Sequence, residues 1–222
     1  MIKIASINKN IQHQSLTIDT IDTTDDMSGY DYVVISGGDG AIRRAIKSLK
    51  DYEQIPKIII NPIGSFNVIA KTHHPRSLQT ILDDIASNTP LQTKTQKIYT
   101  LNDEIFLFSA GNMGDLQHIF ISETIRIGWL KNGAYKYIIT FLFLLPMHII
   151  LTPFMLFSQR KFFFFTPLSF IKKFGSFYGT IDSPIKIDLQ NSYNFIELDG
   201  DIVTIYDEVI EIAYLRDIEI VV

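Results

Sequence analysis

Gly37, Gly38, Asp39 and Gly40 set three glycines around one carboxylate within four consecutive positions. Glycine has no Cβ, so a bulky anion can approach such a backbone closely. Behind them, Ala41 to Leu49 carries helical periodicity, and a helix start offers unpaired N–H groups and the positive end of a dipole. A phosphate is the natural guest. The Asp39 carboxylate would repel a bare phosphate there, which points either to a metal-chelated phosphate or to a polar network holding the loop in shape. An ordinary strand-to-helix turn with Asp39 as helix N-cap accounts for the same residues. A second polar turn, NPIGSFNVIAK from Asn61 to Lys71, contributes Gly64, Ser65 and Asn67 ahead of another apolar helix start. Asn67 there reads equally as a plain N-cap. Late in the chain, Asp199 and Asp201 flank Gly200, and Asp199-Gly200 is also a strong hairpin-turn dipeptide.

These residues need strands to hold them. Val33, Val34 and Ile35 read as a buried strand feeding the first turn, and Ile58, Ile59 and Ile60 as another feeding the second. Lys3 to Asn8 makes a first strand, and Ser15 to Gly29 a loop or short weak element whose aspartates are solvated surface. Two strand, turn, helix units in succession imply parallel strands, with both polar turns at their carboxyl-terminal edge. Ser77 to Ser87 reads as an amphipathic helix, and Asn88-Thr89-Pro90 as a break. From Thr93 the pattern turns to β structure. A hairpin folds about Asn102-Asp103, and strands follow at Ile185 to Leu189, Tyr193 to Leu198, Ile202 to Tyr206, Val209 to Tyr214 and Ile218 to Val222. The expected architecture is an α/β N-terminal nucleotide-binding domain with parallel strands over residues 1–92, and a β-rich C-terminal domain over 93–222.

Composition narrows the function. With 46% hydrophobic residues in 222, the chain can bury a substantial core. A net charge of −4 without a basic cluster argues against a nucleic-acid surface. The absence of cysteine excludes disulfides, thiolate metal sites and a cysteine nucleophile, and fits a reducing compartment. MIKIASINKN has no apolar h-region of a secretory signal, so the cytoplasm is the expected location. His73-His74 lacks a spaced carboxylate partner and reads as a surface pair at a helix end rather than a metal site.

In sequence order, SGGDGA at Ser36 to Ala41, PIGSFNVIA at Pro62 to Ala70, SAGNMGDL at Ser109 to Leu116, LKNGAYKYI at Leu130 to Ile138 and ELDGDIV at Glu197 to Val203 resemble the motifs of diacylglycerol kinase and sphingosine kinase catalytic domains. The GGDG motif alone also resembles NAD kinases, whose fold is similar, but GSFN differs from the asparagine-containing turn of that family. Departures are visible. Ala41 stands where threonine is usual, Val68 where aspartate is usual and Asp201 where glutamate is usual, and the chain is short for the family.

The resemblance implies transfer of the γ-phosphoryl group of ATP to a lipid hydroxyl with Mg2+. In it, Gly37, Gly38, Gly40 and Ala41 would cradle phosphates, with Gly64, Ser65 and Asn67 completing the pocket. Asp39, Asp199 and Asp201 would be catalytic, Asp39 and Asp199 would meet the metal, and Asp115 would lie on the acceptor-lipid side. A catalytically degenerate binder of lipid or nucleotide is the alternative. The expected partner is a lipid at a membrane surface, and the chain could also form a homodimer.

Tyr137 to Phe157 holds no Asp, Glu, Lys or Arg and is long enough to span a bilayer, but Pro146, His148 and Pro153 interrupt it. It reads as a membrane-docking surface, as core or as a transmembrane helix. Arg160, Lys161 and Phe162 to Phe165 then read as a basic and aromatic interface anchor.

Overall fold

The computed structural model describes residues 2–64, 66–112 and 135–222. They form two compact units, Met1–Tyr99 with Leu215–Val222, and Thr100–Tyr214. The chain passes between the units inside two strands, and its last residues return to the first unit.

The first unit holds β1 (Ile4–Ile7), β2 (Ile18–Ile21), β3 (Tyr32–Gly37) and β4 (Lys57–Pro62), with α1 (Asp39–Leu49), α2 (Val68–His73) and α3 (Leu78–Ala86). Strand order is β2-β1-β3-β4, all parallel. The sheet continues into the end of β14 (Val209–Val221) and then β5 (Thr93–Leu101). Val33, Val34 and Ile35 are buried, as an apolar run without alternation requires when both faces of a parallel strand are covered. Ile4, Val34 and Ile59 cluster with Ile81, Leu82 and Ile85 of α3, and each such side chain contributes about 1.5–3 kcal/mol by leaving water. Ser77 caps α3, its Oγ accepting from the Thr80 N–H at 3.1 Å. Register then fixes the functional edge. Ser36 stands opposite Asn61 and Gly37 opposite Pro62, so β3 and β4 deliver both polar turns side by side.

The second unit contains β6 (Glu104–Phe106), β7 (Ser109–Gly111), α4 (Tyr135–Leu156), β8 (Phe163–Phe165), β9 (Lys173–Phe174), β10 (Phe177–Tyr178), β11 (Ile185–Asp188), β12 (Asn194–Leu198) and β13 (Asp201–Ile205). A sheet ordered β13-β12-β7-β8-β10-β9 forms its centre.

Three expectations change. The strands read at Val209 to Tyr214 and Ile218 to Val222 are one strand, β14, because Leu215-Arg216-Asp217 offers no glycine or proline to interrupt it. The phenylalanine run is not an interface anchor. Phe162 and Phe164 are buried, and the Phe164 ring meets Phe106 edge-on at 5.2 Å because β8 pairs with β7 inside the sheet. The Tyr137 to Phe157 stretch is not core throughout, since Leu142, Phe143, Ile149, Ile150 and Phe154 are exposed. Among the described residues, no helix is long and apolar enough to cross a membrane.

Candidate functional site

At the shared edge of β3 and β4 the two glycine turns touch. Gly38 ends the extended run as N-cap of α1 (φ −91°, ψ −176°), so no left-handed backbone calls for its glycine, and a Cβ there would lie 3.3 Å from Gly64 Cα. A Cβ added at Gly64 would lie 2.5 Å from Gly38 Cα and 2.7 Å from Asn67 Oδ1. One added at Gly37 would lie 2.5 Å from Ala41 Cβ. The Ile63 N–H donates to the Gly37 carbonyl at 3.1 Å, tying the second turn to the first. Gly64→Ala must therefore push the turns apart. It is expected to destabilise the protein by about 1–3 kcal/mol, read by urea denaturation, and to weaken binding of any ligand held on that floor.

Asp39 makes the second tie. Its Oδ2 accepts from the Val68 N–H at 2.8 Å and its Oδ1 from the Ile69 N–H at 3.0 Å. The first residue of α1 thus satisfies the open N–H groups that begin α2, which is a cap supplied across the fold. The carboxyl is buried, and that desolvation pushes its pKa above the usual carboxylate value, opposed by the two backbone N–H groups and by Lys71. The polar-network reading of Asp39 describes these bonds. Asn67 holds the N-cap position of α2 in the left-handed region (φ 48°), yet its side chain caps nothing. Its Nδ2 donates to the Gly64 carbonyl at 2.6 Å, while its Oδ1 is buried without a hydrogen-bond partner among the described residues. A buried amide oxygen left unpaired is costly in a protein alone and suits a ligand bearing an N–H.

A clamp beneath the turns was not anticipated. The Asn61 Nδ2 donates to Ser36 Oγ at 2.9 Å, and the Asn8 Nδ2 donates to the Ser36 carbonyl at 3.3 Å, joining the carboxyl ends of β1, β3 and β4. The signal was available: each is a polar residue at the end of an apolar strand run. On α1, Arg43 is buried and Arg44 exposed. His73 is buried rather than a surface residue, since its Nε2 meets Gln96 Oε1 at 2.8 Å and Lys94 Nζ donates to its carbonyl. Ser65 and Asp115 lie outside the described residues.

In the second unit, β12 and β13 form a hairpin about Asp199 (φ 50°) and Gly200 (φ 89°), the paired positive values of a tight hairpin turn. Asp199 is buried, and its carboxylate turns inward. Oδ2 accepts from the Leu107 N–H at 2.7 Å, and Oδ1 accepts from Phe108 and Ser109 N–H at 2.9 Å each. Desolvation pushes its carboxyl up to about 7 despite those three donors. Glu197 accepts from Ser109 Oγ at 3.0 Å and from the Gly200 N–H, a role its place in the motif did not announce. Asp201 is half-buried at the start of β13.

Both oxygens of Asp39 and both of Asp199 are thus engaged by backbone N–H groups. Among the described residues no three His, Cys, Asp or Glu side chains converge as a metal site. Each Asp39 oxygen, accepting one N–H, keeps a lone pair for an ion, whereas Asp199 is buried with three donors on its two oxygens.

Residues 5–98, which include both glycine turns, match the family model for the diacylglycerol kinase catalytic domain. Those residues are under half of the chain, and over them it is similar to the diacylglycerol kinase family. A Bacillus anthracis str. Sterne protein assigned to the diacylglycerol kinases aligns over 99% of this chain and 96% of its own, at 12% identity and a TM-score of 0.51, a likeness of fold. Another from the same organism matches at 19% identity over 49% of this chain and 46% of its own, with a TM-score of 0.37. An NAD kinase from Archaeoglobus fulgidus in complex with ATP matches at 16% identity over 50% and 47%, also at 0.37. The chain spans about half the length of these last two. No curated protein matches.

Proposed function

We propose that this chain is a lipid kinase that transfers the γ-phosphoryl group of ATP to a hydroxyl of a diacylglycerol-like or sphingoid lipid. One observation carries the reading: Gly38 and Gly64 pack against each other at the end of two parallel strands, with the Asp39 carboxylate binding the turns together. That is a floor without side chains, bounded by a helix start, where phosphates can meet backbone N–H groups.

On this reading Gly37, Gly38, Gly40 and Ala41 hold the phosphates. Gly64, Ser65 and Asn67 hold the nucleoside, with the unpaired Asn67 Oδ1 accepting from an amino group such as that of adenine. Asp39 is a positioning residue. Asp199 holds the hairpin that presents Asp201, and Asp201 takes the proton of the lipid hydroxyl. Asp115 lies on the lipid side. Phosphoryl transfer asks the protein mainly for alignment and charge compensation. Magnesium enters with ATP, spreading the charge of its phosphates, and no step is assigned to an ion on the protein.

One observation favours the alternative, a lipid- or nucleotide-binding member without catalysis: the two buried aspartates spend their oxygens on backbone N–H groups. Purified protein incubated with γ-labelled ATP, magnesium and vesicles carrying diacylglycerol, monoacylglycerol or a sphingoid base separates the two. Labelled lipid is expected. No label on any acceptor, with ATP binding intact, makes the chain a binding module, and label on added NAD instead makes it an NAD kinase.

A further inference from the structure

We propose that the carboxyl end of α4 and the β9–β10 hairpin form one docking surface for a bilayer containing anionic phospholipid. The two parts are joined. The Ser176 N–H donates to the Leu156 carbonyl at 2.7 Å, and the Phe157 and Phe174 rings meet at 6.2 Å. Neither ring is sheltered: Phe157 is 72% exposed, Phe174 56%, and Phe154, one turn back on α4, 75%. Beside them opens a cleft of about 320 Å³ whose lining includes Lys161, Lys173 and Lys186 and, among the described residues, no carboxylate. Lys161 Nζ donates to the Asn112 carbonyl at 3.2 Å, Lys173 Nζ sits 5.0 Å from the Tyr178 ring, and Lys186 lies 3.2 Å from Glu211.

Charge selects the occupant. Residues 135–181 contain five Lys or Arg and no Asp or Glu, in a chain of net charge −4, and hold 11 of its 16 phenylalanines. Exposed aromatic rings next to Lys161 and Lys173 match the boundary between acyl chains and anionic headgroups. A second copy of the chain would bring the same cations face to face, which disfavours this surface as a dimer contact. The cleft takes a phosphate headgroup between its lysines, and Phe154, Phe157 and Phe174 enter the interface beside it. This docking does not depend on phosphoryl transfer, so it can stand or fall separately from the kinase reading.

The test is vesicle flotation of the full chain without nucleotide. Vesicles of phosphatidylcholine alone are compared with vesicles carrying about one quarter phosphatidylglycerol, at low and high salt. The chain is expected to float with the anionic vesicles at low salt and to be released by high salt. Lys172→Gln, at the exposed residue just before β9, together with Lys173→Gln is expected to lower partitioning roughly 30-fold, about fivefold per charge. Phe154→Ser with Phe157→Ser is expected to lower it by about tenfold or more. All four side chains are exposed, so circular dichroism is expected to show unchanged folding. Equal binding to both vesicles, indifference to both double variants, or a stable dimer by light scattering that ignores vesicles would overturn the proposal.

Discussion

Asp39→Ala is expected to cost about 2–4 kcal/mol of stability and to abolish lipid labelling. The carboxylate serves the Val68 and Ile69 N–H groups, and alanine leaves both without their acceptor at about 1–3 kcal/mol each, part of it returned because a charge is no longer buried. For a chain of this length the melting temperature should fall by roughly 5–15 °C. Asp39→Asn keeps one acceptor oxygen and should lose about half as much. The pair separates two roles. If Asp39 positions the turns, ATP affinity and melting temperature fall together, with D39N between wild type and D39A. If it were a direct metal ligand, D39N would abolish activity while leaving the melting temperature unchanged.

Asp199→Ala has the other large expected effect, about 3–5 kcal/mol, because three backbone N–H groups share that carboxylate inside the second unit. Its pH dependence has a definite sign. Burial raises the folded carboxyl from 3.8 to about 7, so between those values the native state keeps a proton that the unfolded chain releases. Stability therefore falls as pH rises through that window, by up to about 1.4 kcal/mol per pH unit, and the loss is complete above it. Urea denaturation from pH 4 to pH 8 should show this slope in the wild type and not in D199N. D199A should accordingly be more damaging near pH 5 than near pH 8. A wild-type slope identical to that of D199N would mean that the three donors hold the carboxylate ionised throughout.

Local chemistry was legible in the sequence where it is local in the fold. Val33 to Leu49 and Ile58 to Ala70 read as strand, turn and helix because buried parallel strands are apolar runs and glycine marks the turn. The partner of Asp39 was not legible. Its bonds reach 29 and 30 residues along the chain, and only the register of β3 against β4 brings them together. Asp199 shows the same division. The hairpin turn followed from Asp-Gly between strands, while the three donors it serves lie about 90 residues earlier. Phe162 to Phe165 misled because four aromatic residues carry no period: alternation in β8 buries Phe164 and leaves Phe163 and Phe165 half-buried. Which apolar residues of Tyr137 to Phe157 face water was likewise a matter of tertiary packing that hydropathy does not encode.

The central claim is that two separate glycine turns make one phosphate-binding floor. Backbone amide NMR of the chain titrated with ATP and magnesium tests it most directly. Saturable shifts concentrated at Gly37, Gly38, Gly40 and Ala41 and, together with them, at Gly64 and Asn67 are expected, and Gly64→Ala should weaken both sets in parallel. Shifts confined to one turn, or lying elsewhere while both glycine turns stay still, would contradict the account.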